Sequence, residues 1–226
     1  MNKRDKQIID DITRFRALSR DQIIALHFSK LKKPTSNCNL VLKRLQDRQY
    51  IKACKDFTPY VYIPYESRMK ENSQKIWHFL KIADTFIELK KYDAELSYTL
   101  IEPKMGEKGV IEPDLFVIFK KTPMFFEIQR TIYSEKIMQE KIMRYEQYYL
   151  SNDWQNLEWQ RQDKKFFPAI ILLTDTRYNI ETVNLKVIQV PSVKALVNTF
   201  SPMKEPSVQQ NQKEQIINGV KIKFGY

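Results

Sequence analysis

Residues 111–149, IEPDLFVIFKKTPMFFEIQRTIYSEKIMQEKIMRYEQYY, hold an acid after a proline, two apolar runs about a short polar turn, and a second acid. Residues 115–119 and 124–129 read as strands joined by KKTP. A four-residue loop predicts an antiparallel register in which Phe119 faces Met124, residue 116 faces 127 and residue 114 faces 129. Side chains two apart share a strand face, so Asp114, Glu127 and Gln129 are expected on one side of the hairpin. Asp114 and Glu127 become diagonal neighbours, roughly 7–8 Å apart at the backbone. Two carboxylates at that separation can converge on one divalent cation, and oxygen ligands completed by water suit Mg²⁺ or Mn²⁺. A carboxylate inside the run MFFEIQ needs some such partner, because burying it unpaired is costly.

The next segment offers a second partner. Ser134 caps a predicted helix running to about Tyr149, with Met138, Lys141, Ile142, Tyr145 and Tyr149 on one face. Glu135, Gln139, Arg144 and Glu146 take the other face and are read as outward. Lys141 therefore lies on an apolar stripe directed at the sheet, next to Glu127.

Upstream, the chain has a different character. Of the net charge of +11, residues 1–65 carry +8, the footprint of a polyanionic partner. Residues 5–16 read as a helix with Ile8, Ile9, Ile12 and Phe15 on a stripe, and Ser19 caps a second, short helix. Pro34 starts a third, whose buried face is Cys38, Val41, Leu42 and Leu45. Its other face presents Ser36, Asn37, Asn39, Lys43 and Arg44, side chains that hydrogen-bond base edges and phosphates. Residues 50–55 and 60–64 then alternate about a turn and predict a β-hairpin carrying Lys52 and Lys55. Three short helices and a hairpin predict a winged helix-turn-helix, its third helix in the major groove of double-stranded DNA.

Residues 66–92 lack Gly and Pro and are expected as one helix or two in succession; His78 is given no role there. Residues 95–101 are expected as a strand, as are 168–174 and 184–190, followed by a helix from Ser192. No apolar run approaches the roughly 18 residues of a membrane span. Cys38 and Cys54 show neither metal spacing nor a disulfide framework, and read as core residues in a reducing cytoplasm.

Pro113 with Asp114, an apolar strand, a turn, and Glu127, Ile128 and Gln129 closing a second strand resemble the PD-(D/E)xK signature of restriction-endonuclease-like nucleases, with Gln in place of Lys. The longer run PDLFVIF, FFEIQRT, EKIMRYEQYY is similar to the replication-relaxation family of plasmids, phages and integrative elements. The resemblance implies an α+β chain. Residues 1–65 would form a winged helix-turn-helix. Residues 66–201 would form a restriction-endonuclease-like α/β domain with a mixed central sheet flanked by helices, and residues 202–226 a mobile tail. It implies metal at Asp114 and Glu127, Gln129 in the place of the catalytic lysine, and Lys141 supplying the missing charge with Tyr145 hydrogen-bonding a phosphate. A third acid would be Glu88 or Glu95. Implied partners are double-stranded DNA, a second copy of the chain, and replication or relaxosome proteins. Three functions are compatible with these residues: a DNA-binding protein with a weak or lost nuclease site, an active Mg²⁺-dependent endonuclease or nickase, and a transcription regulator whose second domain only dimerises or binds a partner.

Overall fold

The computed structural model describes residues 1–96, 98–106, 110–200, 215–217 and 220–222. Helix α1 (Lys3–Phe15) starts where Asn2 accepts the Asp5 N–H at 2.8 Å, and it buries Ile8, Ile12 and Phe15. The short strand β1 (Leu18–Ser19) leads into α2 (Arg20–His27). Ser19 and Gln22 satisfy each other's backbone N–H groups in a capping box, which fixes that helix start. Helix α3 (Pro34–Asp47) begins at the proline and buries Cys38, Leu42 and Leu45. Strands β2 (Ile51–Cys54) and β3 (Val61–Pro64) pair antiparallel, and β3 also pairs with β1. The expected order of three helices and a hairpin is present. Strand β1 is an addition, because two residues show no alternation in the sequence.

Helix α4 (Lys75–Tyr92) is shorter than the expected 66–92. In residues 66–74 Met69 is the one apolar side chain, so a helix there would have almost no face to bury. Helix α4 is buried at Ile76, Phe79, Leu80, Ile82, Ala83, Phe86 and Leu89, more than one stripe. The reason is its position: it touches α1, α2 and β1 on one flank, and its side chains join the buried cluster of the second sheet on the other.

That sheet consists of β4 (Thr99–Ile101), β5 (Leu115–Phe119), β6 (Thr122–Ile128), β7 (Ala169–Leu173) and β8 (Val187–Val190), in that order. Strands β4, β5 and β6 are antiparallel, while β6, β7 and β8 are parallel. Helix α5 (Glu135–Ser151) makes the crossover from β6 to β7, and α6 (Val193–Phe200) follows β8. Side-chain alternation splits the core. Leu115, Val117, Met124 and Phe126 pack with α4 and α6, and Phe116, Phe125, Ile170 and Leu172 pack with α5. The second half is thus three layers with its sheet in the middle, and β7 is buried throughout as its apolar run predicts.

The hairpin register differs from the expectation. Phe119 pairs with Thr122, not Met124, and the turn is Lys120 and Lys121, both at positive φ (46° and 67°). A two-residue turn of that hand matches strand twist. Pro123 can then sit opposite Ile118, a position next to the closing pair where the antiparallel ladder asks for no N–H. Strand β4 is also shorter than 95–101, and Glu95 is exposed before it. Strands β9 (Gln215–Ile217) and β10 (Val220–Ile222) pair with each other, and the rest of the expected tail lies outside the described residues. Among the described residues, no helix is long and apolar enough to cross a membrane.

Candidate functional site

Strands β5 and β6, the loops at their ends, α4 and α5 surround a cavity of about 570 Å³. Asp114, Glu127, Gln129 and Lys141 line it together, as the sequence predicts, although the register that brings them there is not the predicted one. At Asp114 the ladder gives way to a side chain. The Asp114 N–H donates to the Phe126 carbonyl, and Asp114 Oδ2 accepts the Ile128 N–H at 2.6 Å.

Glu127 is 2% exposed. Its Oε2 accepts from the Lys141 ammonium, and its Oε1 accepts the Tyr145 hydroxyl at 2.6 Å. Both donors come from α5 one turn apart, which is why the sequence puts a lysine on that helix's apolar face. Burial pushes the Glu127 carboxyl above its ordinary range, against the pull of Lys141. Burial works to lower the Lys141 ammonium, and the Glu127 charge overcomes it and holds the group above its ordinary value. Burial, then Glu127, drives the Tyr145 phenol well upward, so it stays a donor. With two donors on one carboxylate and the lysine holding its proton, we read the pair as carboxylate and ammonium.

His78, given no role from sequence, sits in the cavity with Nε2 at 3.1 Å from Asp114 Oδ1 and 3.7 Å from Glu102 Oε1. The hydrogen bond to Asp114 raises its pKa, against desolvation. Glu102 in turn meets Arg16 at 2.9 Å, reaching back to the end of α1. The acid that joins the cavity is therefore Glu102. The expected Glu88 instead accepts the Lys194 N–H at the start of α6, and Glu95 lies outside it. No local signal pointed to His78 or Glu102, because their partners are distant in sequence. Gln129 is engaged as well, donating through Nε2 to the Tyr178 hydroxyl at 2.9 Å.

These residues do not fit a divalent cation as arranged. Each oxygen of Asp114 and Glu127 already has a hydrogen-bond or ion-pair partner, and one of those partners is an ammonium. A cation would have to displace Lys141 from Glu127 or His78 from Asp114. Among the described residues, no group of three or more His, Cys, Asp or Glu side chains is arranged to hold a metal.

The expected DNA-contacting residues are sorted by the structure. Ser36, Asn39 and Lys43 are exposed on α3, and Lys55 is exposed at the end of β2. Asn37 is half-buried, and its side chain donates to the Lys33 carbonyl. Arg44 is not the free outer residue expected: it donates to both oxygens of buried Asp5, at 2.8 and 2.7 Å. Lys52 donates to the Ser67 carbonyl, tying the hairpin to residues 66–74. The sequence hid both ties because the acceptors lie on other elements. The face of α5 read as outward is also engaged, for Glu135, Gln139 and Glu146 hold residues 179–184. Cys38 and Cys54 are free and buried, and burial pushes their thiols up to about 12 and about 11.

No protein-family model matches the sequence, and neither a search of curated proteins nor one of solved structures returns a match.

Proposed function

We propose that the chain is a double-stranded DNA-binding protein, its first 65 residues a winged helix-turn-helix and its second half a nuclease-like domain whose site is satisfied internally. The observation that carries the reading is the order of α1, α2 and α3 followed by the β2–β3 hairpin, with Ser36, Asn39 and Lys43 exposed on α3 in the most basic third of the chain. The same sheet that pairs β2 with β3 recruits β1, which holds the hairpin beside the helices. The resemblance to the replication-relaxation family adds a setting: replication or mobilisation of a plasmid, phage or integrative element. A mobility-shift titration of the full chain tests it. Wild type binds duplex DNA, and the Ser36→Ala, Asn39→Ala, Lys43→Ala triple variant loses at least tenfold in affinity. Equal binding by the two proteins contradicts the proposal.

The second half has the acids and lysine of a nuclease-like site, and this favours phosphodiester cleavage as the competing reading. The hydrogen-bonded state of those acids argues against it. Supercoiled plasmid incubated with the protein and Mg²⁺ or Mn²⁺ is expected to stay intact. Nicking that disappears in Glu127→Gln would establish the competing reading.

A further inference from the structure

We propose that the pocket between α3 and the β2–β3 turn receives a single unpaired nucleotide, its base held inside and its phosphate at the rim; this rests on the DNA-binding reading above. The pocket measures about 340 Å³, within the range of small-ligand sites. Asn39, Lys43 and Gln46 line it from α3 at spacings of four and three, one stripe of the helix. Arg20 lines it from the start of α2, and Pro59, Tyr60 and Tyr62 from the hairpin side. The Arg20 N–H donates to the Tyr60 carbonyl at 2.9 Å, which fixes the two walls relative to each other.

Its chemistry is graded. Tyr62 is 5% exposed, yet its hydroxyl has no hydrogen-bond partner among the described residues. A phenol buried to that degree needs a partner, and the pocket is the free direction open to it. Burial raises its pKa, so it remains a neutral donor. Around it the walls are the Pro59 and Tyr60 rings and the amides of Asn39 and Gln46. The two lining cations stand on exposed or half-exposed residues: Lys43, which meets no acid among the described residues, and Arg20, which shares its Nε with Asp21. No carboxylate lines the pocket among the described residues. A bare phosphate would be better served by cations at the floor. An uncharged, aromatic, amide-bearing floor under a cationic rim suits a planar base followed by its phosphate.

The test is fluorescence anisotropy with the full chain and two labelled short duplexes, identical except that one carries a single unpaired nucleotide at its centre. The bulged duplex is expected to bind about tenfold more tightly, the scale of one base stacked on an aromatic ring. Gln46→Ala and Tyr62→Phe are expected to shrink that preference severalfold while leaving affinity for the paired duplex unchanged. Tyr62→Phe removes one oxygen atom only, so it keeps the fold. Equal affinity for the two duplexes overturns this inference and leaves the DNA-binding reading standing. Binding of neither duplex overturns both.

Discussion

Two buried carboxylates, Asp5 and Glu127, are each 2% exposed and each answered by a cation from a distant helix, yet they sit in opposite situations. Asp5 lies at the start of α1 and is clasped by Arg44 of α3, whose side chain is 39% exposed. Neither residue borders the 570 Å³ cavity or the α3 pocket, and the pair works as a strut between two helices. Glu127 is clasped by Lys141 and Tyr145, and it borders both the 570 Å³ cavity and a smaller one of about 300 Å³ that Arg144 also lines. Asp114, His78 and Glu102 extend its network into open space. A buried ion pair is therefore no evidence of a site by itself. What distinguishes the second is the chain of further titratable groups reaching a cleft.

The largest difference between the two is expected on removing the cation of the Glu127 pair. Lys141→Met leaves a fully buried carboxylate with one neutral donor and should cost about 3 kcal/mol in denaturant unfolding. Adding Glu127→Leu should recover most of that loss, because an apolar pair avoids the desolvation of both charges. A double variant as unstable as Lys141→Met would show that the pair is worth more than its burial costs.

The Asp5 pair should be asymmetric. Arg44→Ala strands a buried acid and is expected to cost about 2–3 kcal/mol. Asp5→Ala leaves an arginine that can turn into solvent, and should cost about 1 kcal/mol. Equal losses would mean that Arg44 is held in the interior as firmly as Asp5.

The smallest effect concerns His78. Its pKa is raised by Asp114, with Glu102 adding to the pull and Arg130 opposing it. A histidine raised on folding contributes stability that is full below its ordinary value near 6.5 and is lost as pH rises through the higher folded value. His78→Gln should remove about 0.5 kcal/mol of pH-dependent stability from that window. An unchanged profile would separate His78 from the network.

Helices and strands with a buried stripe were legible from sequence. Ile8, Ile12 and Phe15 mark α1, Cys38, Leu42 and Leu45 mark α3, and the apolar run at Ala169–Leu173 marks β7. Lys141 pointing at Glu127 was legible for the same reason, since a helix places i and i+4 on one face. The register between β5 and β6 was not, because two lysines at positive φ carry no turn signature of the Asn-Gly kind. Nor were the ties of Arg44, Lys52 and His78, each of which needs a partner that tertiary structure supplies.

The DNA-binding reading rests on the basic N-terminal third, with the acid–lysine cluster internally paired. Its most direct test is the affinity of the full chain for duplex DNA, measured by anisotropy over a range of salt concentrations. The logarithm of the affinity should fall linearly with the logarithm of salt, and Lys43→Ala should weaken binding to all sequences and reduce the slope by about one. Binding that is absent at low salt, or a slope and affinity untouched by Lys43→Ala together with Ser36→Ala and Asn39→Ala, would contradict it.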